Sequence, residues 1–169
     1  MHKLVFTYGT LYEPQIMEAL LGYIPQNFLA TLSNFSVYCG DEHILSEEIK
    51  QDLRSKGRDL SSFKFLFAKK DIKNPSLIEG KAYSITPNDE LILDWWERYP
   101  KLYRKESATI KDSDGKKYEA FIYTIDKDGE KLDHFSRDPN NDIDLTILNA
   151  NKLRQKIKLE FPLAEIKQK

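Results

Sequence analysis

The sequence predicts an α+β fold, and three features carry that expectation. Segments that mix β-branched and aromatic residues recur as far as residue 125, as strands do. Short stretches with helical apolar spacing and recognisable start and stop signals lie between them. A longer helical stretch follows a polar, turn-rich segment near the end of the chain.

The first element is Leu4-Val5-Phe6-Thr7-Tyr8, an alternation with little charge that reads as a buried strand. Gly9 stops it. Pro14 suits the first turn of a helix, where its missing N–H removes no bond, and Ile16, Met17, Leu20 and Leu21 keep helical spacing until Gly22. Residues 28–38 (FLATLSNFSVY) predict a second strand or a strand pair, ended by Cys39-Gly40-Asp41. Residues 46–57 (SEEIKQDLRSKG) predict a short surface helix, acidic in its first turn and basic in its last, with Ile49 and Leu53 four apart. Its charges read as a solvated face. Residues 63–68 predict a strand and 69–75 a polar loop, and nothing from about 43 to 75 points to chemistry.

Residues 77–86 return to strand alternation, with Ile78, Gly80, Ala82 and Ser84 on one face. A glycine inside a strand marks a bulge or the close approach of another backbone or ligand. Thr86-Pro87-Asn88-Asp89 is a helix start: an N-cap, proline at the first helical position and acidic residues in the first turn. This helix should run to about Arg98 with a broad apolar face of Leu91 with Trp95 and Ile92 with Trp96, and Pro100 stops it. Residues 103–111 and 118–125 form a hairpin around Asp112-Ser113-Asp114-Gly115. Residues 126–141 read as polar turns, and a C-terminal helix runs from 142 to about 161, with Leu145, Leu148, Leu153 and Ile157 among its apolar positions.

Composition narrows the function classes. The 169 residues are 40% apolar, enough for one domain with a sizeable core. Lys plus Arg (26) nearly balance Asp plus Glu (27), giving a formal charge of -1 that lacks the basic footprint of a nucleic-acid binder. Cys39 is the sole cysteine, so the chain has neither an internal disulfide nor a cysteine-built zinc site. No stretch approaches the roughly 18 apolar residues of a membrane span, and Met1-His2-Lys3 leads straight into a strand, so the expected location is cytoplasmic. His2, His43 and His134 fall in no nucleophile or metal-ligand motif, which leaves a serine or cysteine hydrolase and a metalloenzyme without support.

Two places invite chemistry. In the turn after the first strand, Gly9 lets the backbone pass close to a ligand, and the N–H groups of Gly9, Thr10 and Leu11 lack ladder partners, so they are free to hold an anion. The same residues also suit an ordinary strand-to-helix turn. Glu97 ends its helix, where the negative end of the dipole disfavours a carboxylate, and it follows two tryptophans that can strip water from it. Both effects raise its pKa towards the range of a general acid–base. The alternative is a surface glutamate beside Arg98.

Four landmarks in order carry a resemblance. Phe6-Thr7-Tyr8-Gly9-Thr10-Leu11 resembles the Tyr-Gly-(Ser/Thr)-Leu opening of the γ-glutamylcyclotransferase-like superfamily, also called AIG2-like or BtrG-like. Residues 78–83 (IEGKAY) resemble its Val-x-Gly-x-x-Tyr strand, Leu93-Asp94-Trp95-Trp96-Glu97 with Tyr103 its glutamate helix and downstream tyrosine, and residues 120–123 (AFIY) its closing Ala-x-x-Tyr strand. The resemblance implies a small mixed β-barrel with flanking helices, to which this chain adds its C-terminal helix. A single domain is expected over 1–169, with a common core of about 4–125, an insert of about 43–75 and an extension of about 126–169.

It further implies an enzyme in which a γ-glutamyl α-amine attacks its own γ-carbonyl, releasing 5-oxoproline and an amine or amino acid. Glu97 takes the acid–base role, Tyr8, Gly9, Thr10, Leu11 and Tyr123 are placed around the substrate, and neither metal nor cofactor is required. The expected partner is a small-molecule γ-glutamyl compound, with no nucleic acid and no membrane; which compound, and the oligomeric state, are not specified. Core packing is the other reading for Tyr8 and Tyr123. Two positions depart from the family's pattern: Arg98 stands where a glycine is frequent, and Lys105 where an arginine is usual, a change that loses bidentate geometry. Those departures favour the alternative, a non-catalytic small-molecule-binding or interaction module on the same fold; an unpaired, desolvated Glu97 counts against it.

Overall fold

The computed structural model describes residues 1–160. Strand β1 (Lys3–Thr7) pairs antiparallel with β4 (Ser76–Ile85), and β4 with the first half of β2 (Asn27–Gly40). That half of β2 also pairs with β5 (Arg104–Asp112), and β5 pairs with β6 (Lys117–Thr124). A parallel bridge from Val5 to Phe121 joins β6 to β1 and closes a five-stranded barrel.

Small residues make that closure fit. Ala30, Ala82, Ala108 and Ala120 alternate inside it with Phe6, Leu32, Ile78, Ile110 and Ile122, and all are buried. Gly80 is the tightest point: a Cβ there would stand 2.3 Å from the Thr7 carbonyl oxygen. The close approach expected for a mid-strand glycine is therefore made by the neighbouring strand.

Residues 28–38 turn out to be one long strand, not a pair. β2 shifts register between Leu32 and Phe35, where Asn34 takes a φ of 66°, a conformation asparagine tolerates. Its second half pairs with β3 (Phe65–Lys70) and with the short β7 (Glu130–Leu132). β3 thus starts two residues later than the apolar run suggests and continues through Lys69 and Lys70, because β2 supplies backbone partners whatever the side chains. β7 likewise lies in the stretch read as turns.

Among the described residues, four α-helices flank the barrel: α1 (Pro14–Leu21), α2 (Glu47–Ser55), α3 (Pro87–Trp96) and α4 (Ile143–Glu160), with α4 packed against α1 and α3. Their ends follow local signals. Gly22 closes α1 with a φ of 83°, the Ser46 hydroxyl caps α2, and Thr86 and Asp89 form a reciprocal capping box on α3. The predicted end of α4 near residue 161 lies outside the described residues. The buried face of α3 is only half the one its spacing suggests: Ile92 and Trp96 pack against the core beside the fully buried Leu93, while Leu91 and Trp95 are 60% and 42% exposed. The capping box explains the exposed half, since it buries Asp89, whose carboxylate also accepts the Tyr23 hydroxyl at 2.6 Å.

Candidate functional site

A cavity of about 180 Å³ opens beside the turn after β1, and Tyr8, Gly9, Thr10, Leu11, Glu97 and Tyr123 all line it. A turn of 3-10 helix at Thr10–Tyr12 carries the chain from Gly9 into α1. The N–H groups of Gly9, Thr10 and Leu11 donate to no described residue, and a Cβ on Gly9 would meet nothing within 4 Å, so this loop is open to a ligand.

Glu97 is the C-cap of α3, one residue past the helix, with its N–H bonded to the Leu93 carbonyl at 2.9 Å. Its side chain is partly buried at the cavity wall and accepts no hydrogen bond from a described residue. Burial pushes its carboxyl up to about 8, while the Arg98 charge offsets part of that rise. The helix C-terminus acts in the same direction as burial.

Three phenols surround the carboxyl as walls rather than proton carriers. The Tyr8 hydroxyl donates to the Tyr123 carbonyl at 3.0 Å and accepts the Ala68 N–H at 2.7 Å. Tyr103 donates to the Leu66 carbonyl at 2.6 Å, and Tyr123 to the Asp94 carboxylate at 2.7 Å. Burial first, and the Glu97 charge in addition, hold the Tyr8 and Tyr103 hydroxyls protonated; for Tyr123 burial and the Asp94 bond do the same. Core packing and cavity lining thus coincide at Tyr8 and Tyr123.

Both departures from the family's pattern have a physical account. Arg98 has a φ of 55°, a backbone conformation that favours glycine, and its guanidinium turns to Asp52 of α2. Asp52 also holds Lys56 at 2.9 Å; partial burial raises its carboxyl, but the bonds from Lys56 and Arg98 outweigh this and keep it below the usual carboxylate range. Lys105 reaches Glu90 at 2.8 Å and Asp94 at 2.7 Å, one contact to each carboxylate instead of a fork on one. Asp94 in turn receives the Tyr123 hydroxyl, so Lys105 fixes a cavity wall from behind.

The region from 43 to 75, from which no chemistry was expected, supplies much of the wall. Ile49, Leu53, Arg58 and Phe65 line the cavity, joined by Arg137 and Asn149 from beyond residue 126. The spacing of Ile49 and Leu53 signals an inward face; Arg58, Arg137 and Asn149 carry no sequence signal because loops and α4 bring them in. Arg58 donates to Thr146 at 2.8 Å and lies 3.5 Å from the Asp142 carboxylate. Among the described residues, no cluster of three or more His, Cys, Asp or Glu is arranged to hold a metal ion, and no helix is long and apolar enough to cross a membrane.

Known proteins share this geometry at the level of fold. A protein of Arabidopsis thaliana solved in solution is 18% identical, covers 99% of this chain and 94% of its own, and superposes with a TM-score of 0.57. A γ-glutamyl cyclotransferase is 12% identical over 78% of this chain and 70% of its own, with a TM-score of 0.59. An AIG2-like protein of Mus musculus is 15% identical over 80% and 89%, with a TM-score of 0.53. No curated protein matches by sequence. The family model for γ-glutamyl cyclotransferases of the AIG2-like type matches residues 5–142, most of the barrel and the whole of the Gly9 and Glu97 region, and the chain belongs to that family.

Proposed function

We propose that the protein is a metal-independent γ-glutamyl cyclotransferase, in which Glu97 is the general acid–base and the Gly9 loop binds the substrate. The observation that carries this reading is the Glu97 carboxyl, raised to about 8 and unpartnered on a cavity that also exposes the free N–H groups of Gly9, Thr10 and Leu11. Glu97 takes a proton from the α-ammonium. The freed amine attacks the γ-carbonyl carbon, a C–N bond forms, and the original amide C–N bond breaks. The proton held by Glu97 passes to the departing nitrogen, and the second proton shed by the ring nitrogen follows it, leaving 5-oxoproline and an ammonium with Glu97 ionised again. One backbone donor to the developing oxyanion is worth roughly 10²–10³ in rate, and a cavity that holds the chain curled for ring closure supplies the orientation.

The test is release of 5-oxoproline from a panel of γ-glutamyl amino acids, γ-glutamyl amines and glutathione. Turnover of at least one member is expected. An inactive but folded protein that still binds panel members would place it among non-catalytic binding modules.

A pH profile adds a second check. General-base action needs the carboxylate, so kcat/KM should climb with pH through a limb near 8. Arg98 holds that value down, and Asp52 beside it is anionic, so Arg98→Gln moves the limb to higher pH. A limb that stays in place would remove Glu97 as its source.

A further inference from the structure

We propose that Arg137 is the counter-charge for the α-carboxylate of the γ-glutamyl group, a role that rests on the cyclotransferase reading for its ligand. Arg137 follows β7 in the polar stretch and reaches back to the start of the fold. Its Nη1 donates to the Tyr8 carbonyl at 3.0 Å and the Glu79 carbonyl at 3.3 Å, and its guanidinium lies over the Tyr12 ring, 3.6 Å from the centroid.

Those contacts fix the group in place but leave it incompletely satisfied. A guanidinium has five N–H donors in a planar fork. Only Nη1 is used here: Nη2 and Nε donate to no described residue, and no described carboxylate lies within 4.0 Å. Of the other basic groups on this wall, Lys56 and Arg98 share Asp52 and Arg58 faces Asp142; Lys64 too has no described carboxylate within 4.0 Å, but its ammonium lacks the planar fork that matches a carboxylate in two parallel bonds. A partly buried cation without a counter-ion bears a desolvation penalty that a bound anion offsets.

Its position selects the anion. Arg137 binds the carbonyl of Tyr8, the residue that leads into the open N–H groups of Gly9, Thr10 and Leu11, and it lines the same cavity as Glu97. The Tyr8 hydroxyl feels the Glu97 charge. Arg137 and Glu97 thus stand at the two ends of one tyrosine. In a γ-glutamyl group the α-carbon bears both carboxylate and amine, so a cation that anchors the carboxylate aims the amine at the base and the γ-carbonyl. Arginine suits this because its free edge matches a carboxylate in two parallel bonds.

The experiment titrates the protein with 5-oxoproline and with 2-pyrrolidinone, the same ring without the carboxylate, for wild type, Arg137→Gln and Arg137→Lys. Wild type should prefer 5-oxoproline, Arg137→Gln should lose that preference by about 10- to 100-fold, and Arg137→Lys should restore part of it. A merely structural strap between the tail and Tyr8 predicts equal weakening of both ligands; that result, or a wild type that does not distinguish them, overturns the proposal. The titration needs no turnover. If 5-oxoproline is never released from the panel yet the preference depends on Arg137, the cyclotransferase reading falls and the carboxylate subsite stands. Turnover without the preference does the opposite: the cyclotransferase reading stands and the subsite falls.

Discussion

On the proposed mechanism, Glu97→Gln should lower 5-oxoproline release by a factor of about 10²–10⁴, the usual worth of a positioned general acid–base, while the fold is retained. The amide has the carboxyl's shape but cannot carry the proton. No described residue relies on Glu97 as an acceptor, so the substitution strands no partner. The same substitution should alter stability in the opposite sense. The folded-state pKa of Glu97 is raised to about 8 from an ordinary 4.5, so the native state binds its proton more tightly than the unfolded chain. Stability therefore falls as pH rises through the interval between those values, by an amount on the order of a few kcal/mol. Glu97→Gln lacks that loss. Denaturant titrations should show the variant matching the wild type near pH 4 and exceeding it at pH 9. A variant that retains wild-type turnover, or a stability difference that is flat across this interval, would move the acid–base role elsewhere.

Gly80→Ala should lower stability by about 3 kcal/mol, the upper end of ordinary overpacking, and shift the melting temperature by roughly 6–12 °C at the sensitivity expected for a chain of this size. The built Cβ stands 2.3 Å from the Thr7 carbonyl oxygen and 2.4 Å from Cζ of Phe6. A phenyl ring can rotate away; a backbone oxygen in a paired strand cannot. Since Thr7 pairs with Lys81 and leads directly to Tyr8 and Gly9, relief of the clash displaces the Gly9 loop. Activity should then fall further than the folded fraction does. A melting temperature unchanged within error would show that β1 and β4 have slack that the static geometry does not contain.

Much of the fold was legible because its signals are local. Pro14 and Gly22 bracket α1, Thr86 with Pro87 starts α3, and Asp112-Ser113-Asp114-Gly115 turns β5 into β6; each depends on a few contiguous residues. Tyr8 to Leu11, Glu97 and Tyr123, the residues singled out by the four ordered landmarks, line one cavity. Spacing gave the Ile92 and Trp96 half of the α3 face but not the exposure of Leu91 and Trp95, because the buried Asp89 and its Tyr23 partner, 66 residues away, turn that side of the helix outward.

The sequence by itself determined most of the elements, a mid-strand glycine that marks a bulge or a close approach, and the carboxylate set at a helix end, since caps, periodicity and the dipole act within one or two turns of chain. Only the tertiary structure decided that Val5 meets Phe121 to close the barrel, that Arg98 turns to Asp52, and that Arg137 reaches Tyr8 across 129 residues. A cavity wall and a counter-charge are properties of residues brought together by folding, and no local pattern encodes which distant partner a side chain will find.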